Sequence, residues 1–214
     1  MSEGFANAAG LSVVEGFIAV IHANRDYLSE IDGKIGDGDH GINMDKGFQM
    51  AGERLNGSMS MAEGLITLGK TLLLEIGGSM GPLYGQFFKA MGRTVRGVER
   101  IDGEAIATML EAGRSAICEL GEAQPGDKTL IDTLDPAVRA FREAVVAGEE
   151  IAAALDAMTA AAEEGWRSTE DMVAKIGRSS RLGERSRGVL DAGATSCHLI
   201  LQSFAKTVRT LLAN

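Results

Sequence analysis

Asp32, Asp37 and Asp39 fall within eight positions of one another, and Gly33, Gly36, Gly38 and Gly41 interleave them. On a continuous helix residues 37 and 39 would face roughly opposite sides, so the glycines must bend the backbone if the three carboxylates are to converge. Two carboxylates about 4 Å apart repel by roughly 4 kcal/mol at an effective dielectric of about 20, which makes a divalent cation the natural counter-charge. The candidate ligands are all hard oxygens with no cysteine nearby, pointing to Mg²⁺, Mn²⁺ or Ca²⁺ rather than structural zinc. An EF-hand is excluded. Counting Asp37 as the first position, the fifth is Gly41 and the twelfth is Phe48, where a bidentate Glu is required. Three carboxylates leave coordination positions open, which suits Mg²⁺ completed by water and nucleotide phosphates. An isolated Asp-Gly-Asp is as often a solvated acidic turn; the third carboxylate and the glycine density argue for a site.

The elements that must position this loop are helices. Val13, Val14, Phe17, Ile18, Ile21 and Leu28 recur at three- and four-residue spacings, which predicts an amphipathic helix over 11–31 delivering Asp32 at its end. A second helix is predicted over 41–55. His40 to Asn43 then sit at its N-terminus, where unpaired N–H groups and the helix dipole favour an anion. Metal and phosphate could share one corner, although His40 by itself is better read as a capping or packing residue. A third helix over 60–76 breaks at Gly77-Gly78-Ser79-Met80-Gly81-Pro82, a turn that lets a ligand approach the backbone and puts Pro82 at the opening of the next helix. This turn matches no P-loop, since no Gly-Lys-Ser/Thr follows.

Helical patterns resume over 104–120, 130–146, 149–164 and 196–212. Between the first two, Pro125 and Gly126 make a break after which Asp127 and Lys128 could be catalytic, though local chemistry favours an N-cap for Asp127 and a solvated side chain for Lys128. The stretch 175–196 carries Arg178, Arg181, Arg185 and Arg187 with little apolar periodicity, and reads as a long loop. Loops of that length inside compact domains are usually functional lids or disordered segments, and arginines suit phosphate recognition. With six to eight helices and no convincing alternating strand, the fold class is all-α, a closed antiparallel bundle or barrel. The 214 residues are consistent with a single domain over 1–214.

A net charge of −9 and a pI near 4.9 argue against nonspecific nucleic-acid binding and against an anionic membrane surface. Lys70 interrupts the most apolar stretch, around 65–76, well short of a membrane span. The N-terminal residues lack the basic start and apolar run of a secretory signal, so a cytoplasmic protein is expected. Cys118 and Cys197 have no CxxC partner and read as buried, reduced thiols.

Taken together, the motifs Gly36-Asp-Gly-Asp-His-Gly-Ile-Asn43, Gly77-Gly-Ser-Met-Gly-Pro-Leu-Tyr-Gly85, Gly126-Asp-Lys-Thr-Leu-Ile-Asp132, Gly177-Arg-Ser-Ser-Arg-Leu-Gly-Glu-Arg-Ser186 and Asp191-Ala-Gly-Ala-Thr-Ser196 resemble the nucleotide-binding L subunit of bacterial dihydroxyacetone kinase, over nearly the whole chain. The resemblance implies an eight-helix antiparallel barrel with nucleotide bound at one rim. Carried over by motif, Asp32, Asp37 and Asp39 would hold Mg²⁺, and His40, Gly41, Ile42 and Asn43 would lie against the phosphates beside Ser79 and Met80. Gly121 and Leu130 would flank the adenine, while Arg178, Asp191, Ala192 and Gly193 would close a lid near 175–196. Met80, Leu130, Arg181 and Ala192 depart from the residues usual in the family at those places.

The same resemblance implies a cofactor, ATP or a tightly bound ADP recharged by a phosphotransferase-system phosphocarrier. It implies a homodimer, and a K-type partner subunit that holds the ketone covalently through a histidine. The expected activity is transfer of the terminal phosphoryl group to dihydroxyacetone or a related short ketose such as erythrulose. Two alternatives stand beside it: a regulatory nucleotide-binding module that engages a transcriptional activator, and a purely structural metal-bound helical protein.

Overall fold

A computed structural model describes residues 3–213; Met1 and Ser2, at the head of the N-terminal stretch read above, lie outside the described residues. Nine α-helices appear among them: α1 (Leu11–Ala23), α2 (Arg25–Ile35), α3 (His40–Gly52), α4 (Met61–Glu75), α5 (Met80–Thr94), α6 (Gly103–Gly121), α7 (Leu130–Val146), α8 (Ile151–Ser168) and α9 (Ala192–Leu212). Starting from α1, the packing runs through α3, α4, α5, α6, α7, α8 and α9 and returns from α9 to α1. Eight helices therefore close a ring, and α2 packs outside the sequence of the ring against α3 and α9. The short connections between successive helices from α3 to α8 favour antiparallel neighbours. No helix among the described residues is long and apolar enough to cross a membrane.

The apolar periodicity becomes the ring's interior. Phe17 of α1, Phe48 of α3, Phe88 of α5 and Phe204 of α9 are all buried, with Phe88 5.5 Å from Phe17 and 5.8 Å from Phe48 between ring centroids, and Phe17 6.4 Å from Phe204. Glycine permits a close approach between α4 and α5. A methyl group on Gly69 would sit 2.6 Å from the Gly85 carbonyl oxygen and 2.6 Å from the Lys89 nitrogen, so only hydrogen fits.

Helix ends follow local chemistry. Ser60 and Glu63 form a reciprocal capping box at α4, with the Ser60 N–H donating to Glu63 Oε2 at 2.8 Å and the Glu63 N–H to Ser60 Oγ at 3.3 Å. At α7 the cap is Thr129 rather than Asp127: the Ile131 N–H donates to Thr129 Oγ1, and Asp132 reaches back to the Thr129 N–H. Asp127 instead accepts from the Gln124 N–H within its own turn.

Three expectations about the elements need correction. The span 11–31 is two helices, because Asn24 turns the chain while its side-chain amide donates to the Val20 carbonyl at 2.8 Å and terminates α1. Two strands exist, β1 (Gly4–Ala6) and β2 (Arg100–Asp102), antiparallel with Phe5 opposite Ile101; three residues are too few to display an alternating pattern. The stretch 175–196 is not a featureless loop. It holds 3-10 turns at Ser179–Ser186, follows another at Thr169–Asp171, and gives way to α9 at Ala192, four residues earlier than the apolar pattern begins. Asp191 caps that start by accepting the Ala194 N–H at 2.7 Å.

Candidate functional site

The last turn of α2 carries Asp32, and Gly36 ends the helix by donating to the Asp32 carbonyl. Gly38 then adopts φ +76°, a left-handed conformation that suits glycine, and α3 starts at His40. This sharp reversal brings one oxygen from each of Asp32, Asp37 and Asp39 within 4.8 Å of the others, the arrangement the glycine spacing demanded. Asp32 Oδ2 also accepts the His40 N–H at 3.3 Å, which locks the carboxylate to the start of α3. Three convergent, partly exposed carboxylates with no soft ligand fit a hard divalent cation. Among the described residues the nearest positive charge is Arg178, whose guanidinium pairs with Asp37 and lies 4.0 Å from Asp39.

The carboxylates stand on the edge of a cleft of about 750 Å³, within the usual range for small-molecule sites. His40, Met80, Leu130 and Ala192, the opening residues of α3, α5, α7 and α9, all line it. Antiparallel packing thus aims four helix N-termini at one space, each with the positive end of its dipole. Pro82 falls in the first turn of α5, where its missing N–H breaks no helical bond. Leu83, Leu120, Leu130 and Ile176 give the cleft an apolar portion, whereas Asp32, Asp39, Asn43 and Ser79 line a polar one.

Of the residues singled out by sequence, Asp32, Asp37, Asp39, His40, Asn43, Ser79, Met80, Gly121, Leu130, Arg178, Asp191, Ala192 and Gly193 all line the cleft. Gly41 and Ile42 do not. Gly41 is buried against α2, where an added Cβ would lie 1.9 Å from the Arg25 carbonyl oxygen, and the Ile42 side chain is exposed. Sequence reasoning gave no role to three further residues. His40 Nε2 lies 3.0 Å from Ser196 Oγ, which lies 2.7 Å from the Tyr84 hydroxyl; both oxygens also bond to the Gly193 carbonyl. Tyr84 and Ser196 fall inside the quoted motifs, but only the fold brings them to His40.

The third is Lys128, read as solvated and found buried at the cleft wall, 1 % exposed. Its pKa is pushed down from the ordinary lysine range by burial and pulled back by the Asp191 and Glu170 carboxylates. Burial lowers the His40 pKa to about 4, against the attraction of Asp32, so the imidazole is neutral near pH 7 and its ring bonds without a charge. Burial also lifts the Asp191 carboxyl to about 6, with the Ala194 N–H and Lys128 pulling the other way. Cys197 is buried with its thiol pushed up, which makes it inert; Cys118 is half-buried and also unbridged.

The sequence profile of the DAK2 domain matches residues 34–206, a span that includes the acidic loop apart from Asp32, and the Gly-Gly-Ser turn, the 126–132 turn and the start of α9. The chain belongs to the DAK2 domain family. This DAK2 domain is 37% identical over 207 residues to the PEP-dependent dihydroxyacetone kinase 2, ADP-binding subunit DhaL, of Listeria innocua, covering 92% of this chain and 94% of that one. It is 35% identical over 215 residues to the D-erythrulose kinase of Mycolicibacterium smegmatis, covering 97% of this chain but 37% of that one. Among solved structures, the dihydroxyacetone kinase from C. freundii in complex with AMP-PNP and Mg²⁺ superposes with a TM-score of 0.69 at 25% identity. That match covers 96% of this chain, which spans 35% of the length of that structure. The ring of helices is thus the fold of a known kinase domain.

Proposed function

We propose that this DAK2 domain binds a magnesium–adenine nucleotide in the cleft and donates its terminal phosphoryl group to dihydroxyacetone held on a separate K-type subunit. The observation that carries the reading is the convergence of Asp32, Asp37 and Asp39 at the edge of a cleft that four helix N-termini face. Phosphoryl transfer needs positioning and charge neutralisation more than covalent chemistry, and this arrangement supplies both. Magnesium, when bound, would neutralise charge on the transferred group. The three aspartates would hold it, and the N–H groups at the starts of α3 and α5 would take anionic phosphate oxygens. Leu83, Leu120 and Leu130 offer a surface for the base. Arg178, now paired with Asp37, is free to turn to phosphate once a metal replaces it as the counter-charge.

ADP retained in the cleft and recharged by a phosphocarrier protein is the favoured form of the donor. Supporting it, the Listeria relative, which this chain covers almost end to end, carries "PEP-dependent" and "ADP-binding subunit" in its name. A homodimer and a cytoplasmic setting belong to the same reading. The test is the nucleotide content of extensively washed protein, followed by Mg²⁺-dependent titration with ADP and ATP. Next comes phosphorylation of dihydroxyacetone or erythrulose by a mixture with a K-type subunit. Stoichiometric, non-exchanging ADP supports the recharged cofactor; freely exchanging ATP supports a direct ATP-dependent kinase. Absence of binding to either nucleotide, with metal present, overturns the proposal.

A further inference from the structure

The turn before α7 presents an unusual arrangement. Lys128 has φ +62°, a left-handed conformation uncommon for a residue with a side chain. The carboxylate of Asp132 fastens the turn on either side, accepting from the Gly126 N–H at 2.5 Å and the Thr129 N–H at 2.6 Å. Held this way, the Lys128 ammonium is surrounded by four backbone carbonyls: Thr169 at 2.7 Å, Met172 at 3.1 Å, Ser186 at 2.7 Å and Val189 at 2.6 Å. Three ammonium protons face four acceptors, so at least one proton is shared and none is left for a ligand. Among the described residues it is the only buried lysine or arginine.

These carbonyls come from both ends of the segment that crosses from α8 to α9. Between them lie Ile176 to Ser179, which form one wall of the cleft. Apart from Lys128, few bonds fasten this segment to the ring: the Lys175 N–H donates to the Asp127 carbonyl at 3.2 Å, the Lys175 ammonium pairs with the Asp127 carboxylate at 3.3 Å, and Arg178 pairs with the acidic loop. Most of its other bonds are internal, such as Ala174 N–H to Ser186 Oγ and Gly188 N–H to the Glu170 carbonyl. We infer that Lys128 is a positioning residue whose ammonium organises the 169–190 segment in place of the ligand, building the cleft's outer wall before nucleotide arrives and holding nucleotide in afterwards. Release then requires opening a buried, charge-assisted cluster, and that makes the nucleotide a resident group.

The inference rests on the nucleotide reading above, and two measurements separate their failures. Displacement of a fluorescent ADP analogue by excess ADP, with Mg²⁺, is followed for the full chain and for Lys128→Met. The variant should release the analogue at least tenfold faster. Hydrogen exchange of the nucleotide-free proteins is the second measurement. The Ala174 and Gly188 amides should be protected in the wild type and exchange at least tenfold faster in the variant, with the buried amides of α4 and α5 unchanged. A cooperatively folded variant that releases the analogue within twofold of the wild-type rate overturns the role of Lys128 in retention. If the variant does not fold, the wild type still decides: Ala174 and Gly188 amides exchanging at the unprotected rate without nucleotide would show that the wall is not preformed. A wild type that binds no analogue sinks the nucleotide reading, while hydrogen exchange still tests the organising role of Lys128.

Discussion

His40 Nε2 stands 3.0 Å from Ser196 Oγ, joining the residue that follows the acidic loop to the second turn of the last helix. Tyr84 completes the link from α5, so three helices meet at one hydroxyl. Replacing Tyr84 by Phe keeps the ring in the aromatic core and removes the hydroxyl with its bonds to Ser196 and the Gly193 carbonyl, leaving both of those groups other partners, which should cost about 1 kcal/mol. Ser196→Ala leaves buried His40 Nε2 without its partner, while the Tyr84 hydroxyl keeps the Gly193 carbonyl, and should cost about 1–3 kcal/mol. Urea unfolding of the two variants checks the order; a Tyr84→Phe variant less stable than Ser196→Ala would contradict the arrangement.

Asp37 is exposed, so Asp37→Asn should change stability by no more than about 0.5 kcal/mol. Its effect on Mg²⁺-dependent nucleotide binding should be much larger, at least tenfold by calorimetric titration. Nucleotide affinity unchanged by the substitution would show that the carboxylates do not bridge metal to phosphate.

The pH dependence of stability should carry the mark of Asp191. Its folded-state pKa, about 6, is raised above the value of 3.8 expected when unfolded. The folded protein therefore holds an extra proton between those values. The associated stability is complete below about pH 4 and is lost as pH rises through 6, roughly 3 kcal/mol in all. Asp191→Asn can still cap α9 through its amide oxygen but does not titrate. Unfolding of metal-free protein from pH 4 to 7 should show the variant gaining on the wild type by that amount, and a constant difference would refute the raised pKa.

Gly69 tests the packing far from any ligand. A methyl group there meets backbone on α5 with no flexible side chain to yield, so Gly69→Ala should destabilise by about 1–3 kcal/mol. Nucleotide affinity of the folded fraction should stay within twofold of wild type.

Much of this architecture was legible in the residues themselves. The patterns over 60–76, 104–120 and 130–146 became α4, α6 and α7 within a residue or two, because their apolar stripes and capping residues agree. The acidic loop was legible because its glycines have one evident use. Other features were hidden for physical reasons. The break at Asn24 leaves the apolar spacing intact, since α1 and α2 both turn Phe17, Ile21 and Leu28 inward. Lys128 looks solvated because its four acceptors lie 41 to 61 residues further along the chain. Nothing local announces a lysine whose partners are all distant carbonyls.

Among the described residues, the seam between α1 and α9 joins the first and last of the nine helices. During synthesis the helices from α1 to α8 can pair with their neighbours as they emerge, but the gap beside α1 stays open until α9 leaves the ribosome. Until then Phe17 lacks its α9 partner Phe204. Topology of this kind pays its loop-closure entropy at the end, which slows completion relative to the local hairpins. The nascent ring is therefore exposed to aggregation or chaperone capture until α9 docks.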